Sequence, residues 1–291
     1  MRMRLNRFLA AAGLGSRRSC EDIIRDGRVA VNGSRVETLG LSIDENDDVR
    51  VDGRIVRAQS PLYVVLNKPA GLVTTRNDPA ARHTIYDILP PEHRTLAYVG
   101  RLDKDSEGLL LLTNDGMLAQ RLTHPSHEID KEYEVVIDRD FDPAHAEKLL
   151  AGFHIEGGKA RVHAVRRIAP TKLKLVLRQG IKRQIRLMLY ALGYEVKKLV
   201  RVRIGPLKLG KMNMGESRRL TAHETDALRA AAAAVPVKVV VRKTPRDPRK
   251  RKVVPAEARS KISPKKATRA TGRATARVRP PRRSNRPTPL S

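Results

Sequence analysis

The sequence predicts an α+β protein with two folded units, residues 3–58 and 62–235, and a disordered basic tail, residues 236–291. Three observations lead there. The first stretch joins two short helical patterns to an Asn-Gly hairpin signal. The second alternates short aliphatic runs and turn residues with helical segments, the mark of a sheet with helices packed on it. From Pro236 onward there are nine prolines, no aromatic residue and many Lys and Arg, too little apolar surface to offset chain entropy.

Composition narrows the class. The chain has 291 residues, with 59 Lys and Arg against 31 Asp and Glu and a formal net charge of +28. Basic residues outnumber acidic ones both before and after Pro236, so the excess is not confined to the tail. Such a charge points to a polyanion, either nucleic acid or an anionic membrane surface. No apolar run approaches the roughly 20 residues that span a bilayer, and none follows the basic Met1 to Arg7 as a signal peptide requires. The single cysteine, Cys20, excludes an internal disulfide and a thiolate-rich zinc site, and a cytoplasmic location is expected.

In the first unit, Leu5, Phe8 and Leu9 have helical spacing that stops at Gly13. Ser16 is placed to cap a second helix over Arg17 to Asp26, with Cys20, Ile23 and Ile24 on one face and Gly27 beyond its end. Val29 to Val31 and Ser34 to Val36 flank Asn32-Gly33, a tight hairpin, and Asp48 to Val51 is a further strand. Arg4, Arg7, Arg17, Arg18 and Arg25 fall in the helical region, where a solvated face and a phosphate-binding face read alike.

After Gln59-Ser60-Pro61, a linker, Tyr63 to Leu66 is a strand running into the turn Asn67-Lys68-Pro69-Ala70-Gly71. Tyr98-Val99 and Leu109 to Leu112 are apolar runs that bracket a loop carrying Arg101, Asp103, Lys104, Asp105, Ser106 and Glu107. A two-signed loop between buried strands is either a salt-bridged turn or a site on a rigid frame. A helix over Met117 to Leu122 follows, then a strand within Glu128 to Ile137, and a helix opened by Asp142-Pro143. Strands are predicted around Ala160 to Ile168 and Lys172 to Leu177. A helix beginning within Arg178 to Met188 ends at Gly193. Paired strands Glu195 to Arg203 and Pro206 to Leu209 precede a last helix with a Thr221–Glu224 capping box. His124 and His127 flank Pro125 with no third ligand in view, so no metal is expected.

Two patterns resemble known families. Leu5-Asn-Arg-Phe-Leu9, Gly13-Leu-Gly-Ser-Arg-Arg18 and Ile24-Arg-Asp-Gly-Arg-Val-Ala-Val-Asn-Gly33 resemble the small RNA-binding module named after a small-subunit ribosomal protein, the S-four type. Gly100-Arg101-Leu102-Asp103 followed by Ser106-Glu-Gly-Leu-Leu-Leu-Leu-Thr-Asn-Asp-Gly116 resembles the signature of bacterial ribosomal RNA pseudouridine synthases of the RsuA class. Asn67 to Gly71, Lys131-Glu132-Tyr133, Lys182-Arg-Gln-Ile-Arg186 and Gly215 to Thr221 fit the same family, so the likeness spans nearly all of residues 3 to 230. It is greatest to the RluF/RluB branch, which acts on the large subunit. Small-subunit rRNA and tRNA are the alternative targets.

The resemblance implies a mixed α/β catalytic domain on a curved antiparallel sheet and assigns roles. Asp103 is the catalytic residue, Tyr133 lines the uracil pocket, and Arg101 fills the gap left by a flipped-out base. A basic residue of the Lys182–Arg186 segment holds the Asp103 charge; Arg183 is the first choice, with Lys182 and Arg186 as rivals, because Ile181 stands where many relatives have Lys or Arg. Arg17, Arg18, Arg25, Lys68 and Lys104 are the expected RNA contacts, and for Lys68 an exposed turn lysine fits equally. Asp105 and Glu107 are expected to form ion pairs with Lys104 and Arg101.

The isomerisation gains no atoms, so no cofactor and no metal is expected. The ionised carboxylate serves as nucleophile at the anomeric carbon or the ring, or as a base. The expected partner is ribosomal RNA or a ribosomal particle, bound by a monomer without a membrane. Two other classes remain open on sequence: a non-catalytic ribosome-assembly factor, and a hydrolase that releases uracil.

Overall fold

The computed structural model describes residues 2–234 apart from 77 and 81, and the expected basic tail lies outside the described residues. The first elements are β1 (Met3–Arg4), α1 (Leu5–Ala11), α2 (Arg17–Arg25), β2 (Val29–Val31), β3 (Ser34–Val36), β4 (Ser42–Ile43), β5 (Val49–Val51) and β6 (Arg54–Ile55). Ser16 caps α2 by accepting from the Ser19 N–H at 3.1 Å. Asn32 and Gly33 have φ of 52° and 81°, the two positive values that a tight hairpin turn needs. Leu5, Leu9, Cys20, Ile24, Val29, Ile43, Val49 and Val51 form a core of their own.

The remaining elements are β7 (Tyr63–Lys68), β8 (Ala97–Val99), β9 (Glu107–Thr113), α3 (Gly116–Thr123), β10 (Lys131–Ile137), α4 (Ala144–Ala151), β11 (Phe153–Ile155), β12 (Gly158–Ala160), β13 (Ala164–Ala169), β14 (Lys172–Leu177), α5 (Gln184–Ala191), β15 (Val196–Ile204), β16 (Leu207–Lys208), β17 (Ser217–Arg219) and α6 (Ala222–Ala234). Seven strands line up in the order β13-β14-β10-β15-β9-β7-β17, with β16 added to β15 and β8 to β9. All pairings in this sheet are antiparallel but one: β15 runs parallel to β9, through Val200↔Glu107 and Arg201↔Gly108. That short seam joins the two halves of the sheet.

The aliphatic run predicted as a buried strand is covered on both faces. Leu109 and Leu111 pack with Leu118, Leu122 and Leu228, while Leu110 and Leu112 pack with Ile85, Leu89 and Leu96. Alternate residues of a strand face opposite sides, so an unbroken Leu run requires two cores. Gly108 stands at the seam for a steric reason. A Cβ there would lie 2.4 Å from the Arg201 carbonyl oxygen and 2.8 Å from its nitrogen.

Two expectations need correction. The helix sought from Arg178 begins only at Gln184, because Arg183 has φ 55° and a left-handed residue interrupts helical hydrogen bonding. The strand sought from Glu128 begins at Lys131, since Glu128 has φ 47° and closes a short 3-10 turn at Pro125–His127. The hairpin β11–β12 was not foreseen.

Candidate active site

A cavity of about 700 Å³ opens over the seam, bounded by the 100–106 loop, the start of β10, the 177–185 segment and β15. Asp103 is half-buried in its wall, and it is the one carboxylate among the described lining residues. Lys131, Tyr133, Arg178, Arg183 and Arg201 line the same space. Lys131 and Tyr133 reach it together because residues two apart on β10 share a face.

The loop that carries Asp103 is fixed from beneath by its own carbonyl groups. Lys68 is fully buried at 0 % exposure, and its Nζ donates to the carbonyls of Pro69 (2.9 Å), Asp103 (3.2 Å), Lys104 (3.4 Å) and Ser106 (2.9 Å). Thr74 Oγ1 donates to the Leu102 carbonyl at 2.8 Å, and the Gly71 N–H donates to the Lys104 carbonyl at 2.8 Å. Lys68 is therefore no phosphate contact, contrary to expectation. It braces the loop, and no solvent-side partner can reach it. Burial lowers its pKa to about 8, opposed by the charges of Glu107, Asp103 and Asp105.

The cation assigned first to Asp103 goes elsewhere. Arg183 Nη1 lies 3.2 Å from Asp105 Oδ2, in an exposed ion pair. Lys198 Nζ lies 3.2 Å from Glu107 Oε2. Asp105 and Glu107 thus pair outside the loop, with Arg183 before α5 and Lys198 on β15, and not with Lys104 or Arg101. The rival Arg186 comes closer to the task. Its Nη2 donates to the Asp105 carbonyl and its Nη1 to the Val196 carbonyl, both at 2.9 Å. Burial and the neighbouring Arg183 lower its pKa, while Asp105 and Asp103 act to raise it, so Arg186 feels the Asp103 charge.

Two further cations were missed. Arg201, 2 % exposed, donates from Nε to the Leu109 carbonyl at 2.7 Å and from Nη1 to the Arg101 carbonyl at 3.3 Å. Lys131 is held by the Ile129 carbonyl at 3.2 Å, and burial first, then Arg201, lowers its pKa to about 8. Neither stands out in sequence: Lys131 appears there only within the Lys131-Glu132-Tyr133 pattern, and Arg201 only within the predicted strand Glu195 to Arg203.

Arg101, Lys104, Arg17, Arg18 and Arg25 are exposed. Arg25 pairs with Asp22 at 2.9 Å. His124 Nδ1 accepts from the Ser126 N–H, and among the described residues no group of three His, Cys, Asp or Glu is placed to hold a metal ion. No helix among the described residues is long and apolar enough to cross a membrane.

Comparison with known proteins shows the family and the fold. Residues 62–191 match the family described as RNA pseudouridylate synthase, and residues 3–49 match the S4 domain. An uncharacterised RNA pseudouridine synthase of Aquifex aeolicus is 38% identical over 249 residues, which cover 84% of this chain and 99% of that one. The Bacillus subtilis ribosomal large subunit pseudouridine synthase B is 37% identical, covering 79% of this chain and 96% of its own. A crystal structure described as a pseudouridylate synthase superposes with a TM-score of 0.57 at 28% identity, covering 78% of this chain and 99% of that chain.

Proposed function

This chain belongs to the RNA pseudouridylate synthase family, and on that ground we propose that it converts one uridine of large-subunit ribosomal RNA to pseudouridine with Asp103 as the reacting carboxylate. The observation that carries the residue assignment is the cavity wall: Asp103 is the one acid among the described lining residues, which include the cations Arg101, Lys131, Arg178, Lys182, Arg183 and Arg201. In the reaction the bond from ribose C1′ to uracil N1 breaks and a bond from C1′ to C5 forms. A proton leaves C5 and one is gained at N1, so nothing is consumed. An ionised carboxylate is suited to attack either the anomeric carbon or the ring, or to serve as base.

The base must leave its stack, at a cost of a few kcal/mol. Arg101, exposed beside Asp103, is the side chain proposed to occupy the gap, and Tyr133 the one to stack on the extruded ring. Arg186 takes the role of charge partner first given to Arg183. The S4 module, with Arg17 and Arg18 at the start of α2, is proposed to grip the RNA backbone, where guanidinium groups and a helix N-terminus both suit phosphate. The large subunit is favoured by the name of the Bacillus subtilis relative. A monomer acting on rRNA in the cytoplasm completes the proposal.

The test is to map pseudouridine in rRNA from cells with and without the gene, then restore wild type or Asp103→Asn. One site should vanish, return with wild type and stay absent with Asp103→Asn. Equal restoration by both would remove Asp103 from the chemistry, and an unchanged map would leave an RNA binder.

A further inference from the structure

Arg201 sits where the two halves of the sheet meet, and its surroundings are unusual for a charged residue. It is 2 % exposed, and no carboxylate among the described residues lies within ion-pair distance. Leaving a buried cation without a counter-ion costs several kcal/mol unless hydrogen bonds compensate. Two of its nitrogens are compensated by backbone: Nε by the Leu109 carbonyl at 2.7 Å, Nη1 by the Arg101 carbonyl at 3.3 Å. Those carbonyls lie on either side of Asp103 in sequence, one at the exit from β8 and one inside β9. A single planar guanidinium therefore spans both ends of the loop. Beneath it the β15–β9 seam has only two residue pairs, and Arg201 itself is one of them, set against a Gly108 that leaves no room for a side chain.

We propose that Arg201 is a positioning residue: its fork sets the separation of the loop's two ends and thereby aims Arg101 and Asp103 into the cavity. Lys68 holds the carbonyls of Asp103, Lys104 and Ser106, and Arg201 holds the flanks, so the two cations act on different parts of the same loop. Charge alone is not enough for this role. A lysine gathers its rotatable donors at one point and lacks the planar fork that presents two at fixed spacing. The remaining nitrogen, Nη2, is buried without a partner, and its cost is accepted in a residue whose other two nitrogens tie the loop.

The kinetic part of the test rests on the isomerisation proposed above; the structural part does not. Arg201→Lys and Arg201→Met are compared with wild type for binding of an rRNA fragment, single-turnover isomerisation, thermal unfolding and amide exchange. A misplacement of the order of 1 Å at a reacting group costs about 100-fold in rate. Both variants are therefore expected to bind RNA close to wild type and to lose about 100-fold in turnover. The Ser106 and Gly71 amides, which bond the Asp103 and Lys104 carbonyls, should exchange faster in both. Full turnover in Arg201→Lys would overturn the fork and leave only a charge. Unchanged exchange at Ser106 and Gly71 in the lysine variant would overturn the positioning role, even if Arg201→Met fails to fold. Wild type without isomerase activity would defeat the proposed function, and amide exchange would still decide for or against the brace.

Discussion

Replacing Lys68 by Met removes an ammonium from the base of the Asp103 loop and keeps a side chain of similar length. The cost can be worked from the hydrogen bonds. Three carbonyls, of Pro69, Asp103 and Ser106, receive Nζ at 3.2 Å or less, and each bond to a charged donor contributes about 1.5–3 kcal/mol. Against that gross sum of about 5–9 kcal/mol stands the desolvation that lowers Lys68 from 10.5 to about 8, equivalent to about 3 kcal/mol. The variant should be less stable by about 2–6 kcal/mol at neutral pH, read by urea unfolding. The pH dependence has a definite sign. Because the folded chain releases the Lys68 proton before the unfolded chain does, the unfolded state binds more protons between pH 8 and 10.5. Wild-type stability gains from this group as pH rises through that window, and loses it again as pH falls toward 8. The variant has no such gain, so the gap between the two should widen with pH by up to about 3 kcal/mol. Subtracting the two curves removes the parallel titration of Lys131. A variant as stable as wild type would refute the account of Lys68 as a buried charged brace, and a gap that stays flat from pH 8 to 10.5 would show that the carbonyls fully offset the cost of burying its charge.

Three other outcomes are expected. Glu224, hydrogen-bonded by the Arg218 guanidinium and the Thr221 N–H, is held at about 2; Glu224→Gln should cost about 1–2 kcal/mol at neutral pH, and the difference should close as pH falls from 4.5 through 2. Gly108→Ala forces a Cβ to 2.4 Å from the Arg201 carbonyl at φ 100°, so chemical denaturation should show a loss above about 3 kcal/mol. Arg17→Ala with Arg18→Ala should weaken rRNA binding and flatten the slope of log K against log salt by about 1 for each phosphate no longer neutralised; an unchanged slope would take the two arginines off the RNA.

The local elements were legible in the sequence because their signals are local. Ser16 before an amphipathic stretch, Asn32-Gly33 between alternating residues, and Thr221 three before Glu224 each name a cap or turn whose partners lie within a few residues. The apolar run from Leu109 to Leu112 marked a buried strand, and the two-signed residues before it marked a loop. What fills a cavity wall is decided otherwise. Arg201 and Leu109 are 92 residues apart, and Lys68 and Ser106 are 38 apart; whether such cations meet water, phosphate or a carbonyl depends on which strands become neighbours. Residue order was enough to point to an RNA-directed family with Asp103 at the head of its loop. It took the packed sheet to turn Lys68 inward, to pair Arg183 with Asp105 and to stretch Arg201 across the loop. Charge and periodicity belong to a residue and its near neighbours, whereas burial and pairing belong to the strands that pack beside it.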